Sequence, residues 1–233
     1  MKVSVTVASR NSRSEEKQRT LRRPQRIKRS RKASGKALVP QRGGAARSEA
    51  SGPAILTIGH STRPIAEFVR ILRAHAVTRI IDVRTIPRSR HNPQFNRENL
   101  PAALRAAEIS YLHRPALGGL RRPMPDSPNA GWRNLSFRGY ADYMQTPEFR
   151  SAVDELIDLA ERDRLALMCA EAVPWRCHRS LIADALLVRG VEAADISSAT
   201  RLSPHRLTSF AKVRGTKITY PVESASWSRR AKA

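Results

Sequence analysis

The residues best suited to chemistry in this 233-residue chain crowd into one stretch, Cys169 to Arg179, which reads C-A-E-A-V-P-W-R-C-H-R. A thiol attacks as its thiolate, and neighbouring Arg or His and a helix N-terminus favour that form. Cys177 sits beside His178 and Arg179 just where an apolar helical pattern begins, so its thiolate is favoured. Cys169 closes an apolar run and is either an inert core thiol or a nucleophile, so either sulfur can attack. Glu171 suits a carboxylate at the rim, as acid or base or as partner of an Arg, and His178 suits a proton carrier. Cys169, Glu171, Cys177 and His178 are therefore the catalytic candidates.

Substrate-binding candidates lie near the ends of earlier apolar runs: His60 and Ser61 after one, Asp82, Arg84, Arg88 and Arg90 after the next, with Arg179 beside the thiols. The planar fork of Arg matches phosphate or carboxylate oxygens, although each Arg is equally a plain surface charge. Asp82 orients His60 or Arg84, or caps a turn. Tyr140, Tyr143 and Trp132 offer faces for stacking on a base, but Tyr140 and Tyr143 are three apart and also suit packing along a helix. The two cysteines lie eight positions apart, which is not a zinc-knuckle spacing, and a metal site would need His60, His113 or His178 to complete it. The reading accordingly assigns no metal and no cofactor, and leaves a reversible disulfide open.

The elements that must position these groups follow from periodicity. Ala54 to Gly59, Arg79 to Val83, Ile109 to His113 and Leu165 to Cys169 read as buried strands, and Val191 to Ile196 as a short fifth. Between them, Ile65, Phe68, Val69 and Leu72 mark a helix with Pro64 in its first turn, and Leu100, Leu104 and Ala107 mark another. Thr146-Pro147-Glu148 opens a long helix as cap, first-turn Pro and first-turn acid. A helix from about Arg179 to Arg189 ends at Gly190. The Arg84 to Asn96 stretch reads as a binding loop, and Arg114 to Phe137 as an irregular insertion. Strands alternating with helices predict an α/β three-layer sandwich with a mostly parallel central sheet. In such a sheet the loops after the strands open on one edge, which gathers the candidates into a single site.

The formal charge of +23 is concentrated at the two ends of the chain. The domain reading is a disordered basic tail over 1–53, the α/β domain over 54–200 and a basic C-terminal tail over 201–233. Dense positive charge attracts nucleic acid by counterion release, so nucleic acid binding through the tails is the expected partnership, beside a role as plain solvated ends. No apolar run is long enough to cross a bilayer, and the lone pair of cysteines suits a reducing compartment; a cytoplasmic protein with no membrane partner is expected.

A wider set of segments resembles the domain-of-unknown-function 488 family: TIGH at Thr57–His60, IDVR at Ile81–Arg84, PRS at Pro87–Ser89, LGG at Leu117–Gly119, FRGYADYM at Phe137–Met144, TPEF at Thr146–Phe149, LMCAE at Leu167–Glu171 and CHRS at Cys177–Ser180. The resemblance spans essentially 54–200 and implies a three-layer α/β fold with a site around His60, Arg84, Cys169, Glu171, Cys177, His178 and Arg179, but it implies no particular reaction. A fainter similarity to rhodaneses rests on the IDVR strand end and on a strand-terminal Cys followed by Arg-Ser opening a helix. Three functions are thus expected in order: a cysteine-containing enzyme, hydrolase or transferase, acting on a phosphate-bearing, nucleotide or nucleic-acid-related substrate; a non-catalytic nucleic-acid-binding module; and a rhodanese-like sulfurtransferase.

Overall fold

Short apolar runs interrupted by helical periods pack here as a sheet clad on both faces. The computed structural model describes residues 55–222. Strands β1 (Ile55–Gly59), β2 (Arg79–Asp82), β3 (Ser110–His113), β4 (Leu165–Cys169), β5 (Ala193–Ile196) and β6 (Leu202–Pro204) form one six-stranded sheet in the order β3-β2-β4-β1-β5-β6. The first five are mutually parallel and β6 joins β5 antiparallel. A separate hairpin, β7 (Lys212–Arg214) with β8 (Lys217–Thr219), follows.

Alternation along the strands divides the core into two layers. Leu56, Ile58, Ile80, Ala166 and Met168 pack with Phe68, Ile71 and Leu72 of α1 (Ile65–Ala74) and with Leu100 and Leu104 of α2 (Leu100–Arg105). Ile55, Ile81, Leu165 and Leu167 point the other way. They meet Tyr140 and Ala141 of α3 (Leu135–Tyr143), Phe149 and Val153 of α4 (Pro147–Ala160) and Leu181 and Ile182 of α5 (Arg179–Leu187). Cys169 continues the Leu165, Leu167 face, so the strand's period of two aims its sulfur toward the α5 side.

Caps explain where the helices begin. The Thr146 hydroxyl accepts from the Phe149 amide, and Asn134 accepts from the Ser136 and Phe137 amides to open α3. Pro64 stands at the cap of α1 rather than inside its first turn, and the face turned to the sheet is Phe68, Ile71 and Leu72, with Ile65 and Val69 half-buried. The stretch expected to be irregular from Arg114 to Phe137 is tied down by a buried carboxylate: Asp142 accepts from the Met124 amide, the Ser127 hydroxyl and the Asn129 side-chain amide.

The expected C-terminal tail is corrected over 201–222. Leu202–Pro204 extends the sheet, Ile218 and Tyr220 enter the core, and the Tyr220 hydroxyl donates to the buried Asp184 carboxylate. Burial of two large side chains overrides the basic composition that marked this stretch as a tail. The expected N-terminal tail over 1–53 and residues 223–233 lie outside the described residues. Among the described residues no helix is long and apolar enough to cross a membrane.

Candidate active site

The loops after β1, β2 and β4 open on one edge of the sheet and enclose a cavity of about 420 Å³. His60, Arg84, Arg88, Cys169, Glu171, Cys177 and His178 all line it. The close approach of these loops depends on two glycines without side chains. A Cβ on Gly59 would lie 2.0 Å from the Glu171 carbonyl, and one on Gly119 would lie 2.5 Å from His178 Nδ1.

The floor of the cavity is a cluster of two sulfurs and an imidazole. Ligand atoms of Cys169, Cys177 and His178 all lie within 4.8 Å of one another, with Cys177 Sγ 3.8 Å from His178 Nδ1. His178 Nε2 is 3.1 Å from the Val83 carbonyl, which only accepts, so in the neutral ring Nε2 carries the proton and Nδ1 turns a lone pair toward the sulfurs. Arg179 Nε donates to Cys177 Sγ at 3.3 Å. The Cys177 thiol is held well below its ordinary range, first by the neighbouring Cys169 thiol and then by the Arg179 guanidinium that donates to its sulfur, against the opposing effect of burial. The Cys169 thiol is pushed up by Cys177 and by burial. Of the two sulfurs, Cys177 is therefore the one that ionises first.

Arg179 is a brace rather than an anion clamp. It is buried, and besides Cys177 it donates to the Thr57 hydroxyl at 3.1 Å and the Glu171 carbonyl at 2.6 Å, leaving it off the cavity wall. Asp82 is likewise internal: it receives Arg84 through Nε at 2.9 Å and Nη2 at 2.6 Å, together with the Tyr111 hydroxyl at 2.8 Å. Arg84 also donates from Nη2 to the Phe95 carbonyl and from Nη1 to His60 Nε2. Most of its charge is therefore matched by Asp82 before any ligand arrives.

His60 stacks on Phe95 with ring centroids 4.1 Å apart, and its Nδ1 donates to the Ser61 carbonyl. Burial, aided by the Arg84 charge and opposed by the Ser61 hydrogen bond, lowers its pKa from 6.5 to about 4, so the ring is neutral at pH 7.

Three further expected binding residues are not on this wall. Ser61 turns away with its amide on the Ala170 carbonyl, and Arg90 faces a neighbouring depression. Tyr140 is fully buried: its hydroxyl donates to the Leu117 carbonyl and its ring packs 5.0 Å from that of His178, so it supports the imidazole and has no face for a base. Conversely, Thr85, Gly119, Ser136, Phe137 and Arg176 line the cavity and were not among the candidates. Of these only Arg176 carried a usable signal, an Arg next to Cys177 in a Pro-started turn.

The family model described as "Domain of unknown function DUF488" matches residues 64–186, more than half of the chain. The chain belongs to this family. The matched span runs from α1 to α5 and holds Arg84, Arg88, Cys169, Glu171, Cys177, His178 and Arg179, whereas β1 with His60 precedes it and the strands from β5 onward follow it. The sulfur cluster thus belongs to the family's own part of the domain, and the C-terminal strands are packed against it from outside. No curated protein and no solved structure matches the chain.

Proposed function

We propose that this member of family 488 is a cysteine-dependent enzyme acting on a small phosphate-bearing substrate, a nucleotide or a related ester. One observation carries the reading: a single cavity holds Cys169, Cys177 and His178 on its floor and Arg88 and Arg176 on its wall. Both arginines are exposed, and neither has a carboxylate partner among the described residues. Unmatched guanidinium groups beside a cavity favour an oxyanion, and the volume suits one small molecule. Glu171 lines the same cavity with Oε1 accepting the Val173 amide, which leaves Oε2 for proton transfer. A purely nucleic-acid-binding module would have no use for two sulfurs, one of them buried, and an oriented imidazole facing a cavity.

The test is turnover of a panel of nucleotides and phosphate esters by the full chain. Replacing Arg88 and Arg176 together by Ala removes two charge-assisted contacts of about 1.5–3 kcal/mol each and is expected to raise KM by roughly a hundredfold or more. Cys177→Ser is expected to lower kcat by at least about a hundredfold in protein that melts as wild type does. Unchanged turnover in that variant overturns the reading. A persulfide on either cysteine after incubation with thiosulfate, without turnover of any ester, moves the chemistry to sulfur transfer.

A further inference from the structure

A nucleophile with its proton carrier needs one sulfur and one imidazole, and the cavity floor holds a second sulfur. All three groups converge, their ligand atoms lying within 4.8 Å of one another. Tetrahedral zinc, with bonds of about 2.3 Å to sulfur and about 2.0–2.1 Å to nitrogen, sets its sulfur–nitrogen edge near 3.6 Å and its sulfur–sulfur edge near 3.8 Å. The Cys177 Sγ to His178 Nδ1 separation of 3.8 Å already meets the first value. The widest separation has to close by about 1 Å, which rotation of a Cys side chain supplies.

The surroundings are those of a ligand set held in place before the ion arrives. His178 gives its Nε2 proton to the Val83 carbonyl, the usual outer partner of a metal-bound imidazole, and this leaves Nδ1 as the ligand atom. The ring is wedged between Gly119, where a Cβ would reach within 2.5 Å of Nδ1, and the Tyr140 ring. Arg179 donates to Cys177 Sγ and so offsets thiolate charge.

We propose that Cys169, Cys177 and His178 are three protein ligands of a soft divalent cation of the zinc class, with the fourth position open to the cavity. Thiolate and imidazole select this class over magnesium or calcium, which require oxygen ligands. Structural zinc sites are closed by four protein ligands, whereas three ligands facing a cavity leave room for a bound water or substrate oxygen. Two thiolates neutralise the ion, and the Arg179 charge remains, so an anionic substrate is not repelled from the open position. When bound, such an ion polarises a phosphoryl or carbonyl oxygen. Ligands drawn from the end of β4 and the start of α5 need no knuckle spacing, which is why the eight-residue interval argued against a metal. The inference concerns the same cavity as the proposed enzyme, but metal binding requires no turnover and cysteine-dependent turnover requires no metal.

The experiment is titration of the full-length, reduced chain with Co²⁺, followed by absorption. The expected result is saturation at about one equivalent, with a thiolate-to-cobalt charge-transfer band and the strong visible bands of tetrahedral cobalt, all abolished by added Zn²⁺. Cys169→Ser and Cys177→Ser are each expected to weaken the band and His178→Gln to reduce affinity at least about tenfold, in variants that melt as wild type does. Because Cys177 is buried and its replacement can unfold the chain, a second readout uses wild type alone: equimolar Zn²⁺ is expected to slow iodoacetamide alkylation of both cysteines at least about tenfold. Absence of the band with both thiols titrating as free, or alkylation at the same rate with and without zinc, overturns the proposal. Turnover that persists in chelator together with either result removes the metal and leaves the enzyme. A band without turnover of any ester keeps the metal and removes the enzyme.

Discussion

His60 shows how far a residue's role departs from its type. As a lone histidine after a strand it was a candidate ligand-binding group, yet its Nδ1 is spent on the Ser61 carbonyl and its Nε2 on Arg84. Its charge state nevertheless governs stability. The unfolded chain binds a proton at this ring as pH falls through 6.5, but the folded ring resists until about pH 4. The unfolded state therefore holds more protons in that window, and stability present above pH 6.5 is lost as pH falls toward 4. For a shift of this size the loss is on the order of 3 kcal/mol. Urea unfolding from pH 7 to 4 is expected to show this decline, and His60→Gln, which cannot protonate, to flatten it; equal slopes in both proteins would show that the decline arises elsewhere. Which side chains belonged near the site was legible from strand ends. How each is used was not: nothing in the spacing of Arg84 and Arg179 tells that Asp82 and the Glu171 carbonyl already occupy them.

At the scale of elements, legibility followed the strength of local signals. The first four strands and α4 were readable because apolar runs and the Thr146-Pro147-Glu148 start are self-contained, and the structure returns them within a residue or two. The helix α3 and the strands β6 to β8 were not, because Leu135–Tyr143 has a single cap at Asn134 and a weak apolar face, and Leu202–Pro204 is three residues long. Their order comes from distant partners such as Asp142, which periodicity cannot reveal. The cap of α4 offers a direct check. Thr146→Ala removes the hydroxyl that accepts the Phe149 amide at 3.3 Å and is expected to cost about 1 kcal/mol in denaturant unfolding. Thr146→Ser should retain most of that stability.

For the whole molecule, the C-terminal segment reaches back to the element that carries the sulfur cluster. Asp184, fully buried on α5, accepts from the Tyr220 hydroxyl at 2.8 Å, from His205 Nε2 at 2.8 Å and from the Thr208 amide at 3.1 Å. All three donors lie beyond residue 200, where composition alone placed the edge of the domain. A buried carboxylate stripped of its donors is costly, so the segment cannot leave without destabilising α5, whose first turn holds Arg179 against Cys177. Tyr220→Phe deletes one donor and leaves the ring packed on Trp132 and Phe210. It is expected to cost about 1–3 kcal/mol, roughly 2–10 °C in Tm for a domain of this size. Ending the chain at Thr200 removes all three donors as well as the buried Ile218 and Tyr220, and is expected to abolish cooperative melting. Circular dichroism melts of the two variants decide the matter: a cooperative, unshifted melt after truncation would mean that the domain ends before β6 and that the Asp184 contacts contribute nothing to holding α5.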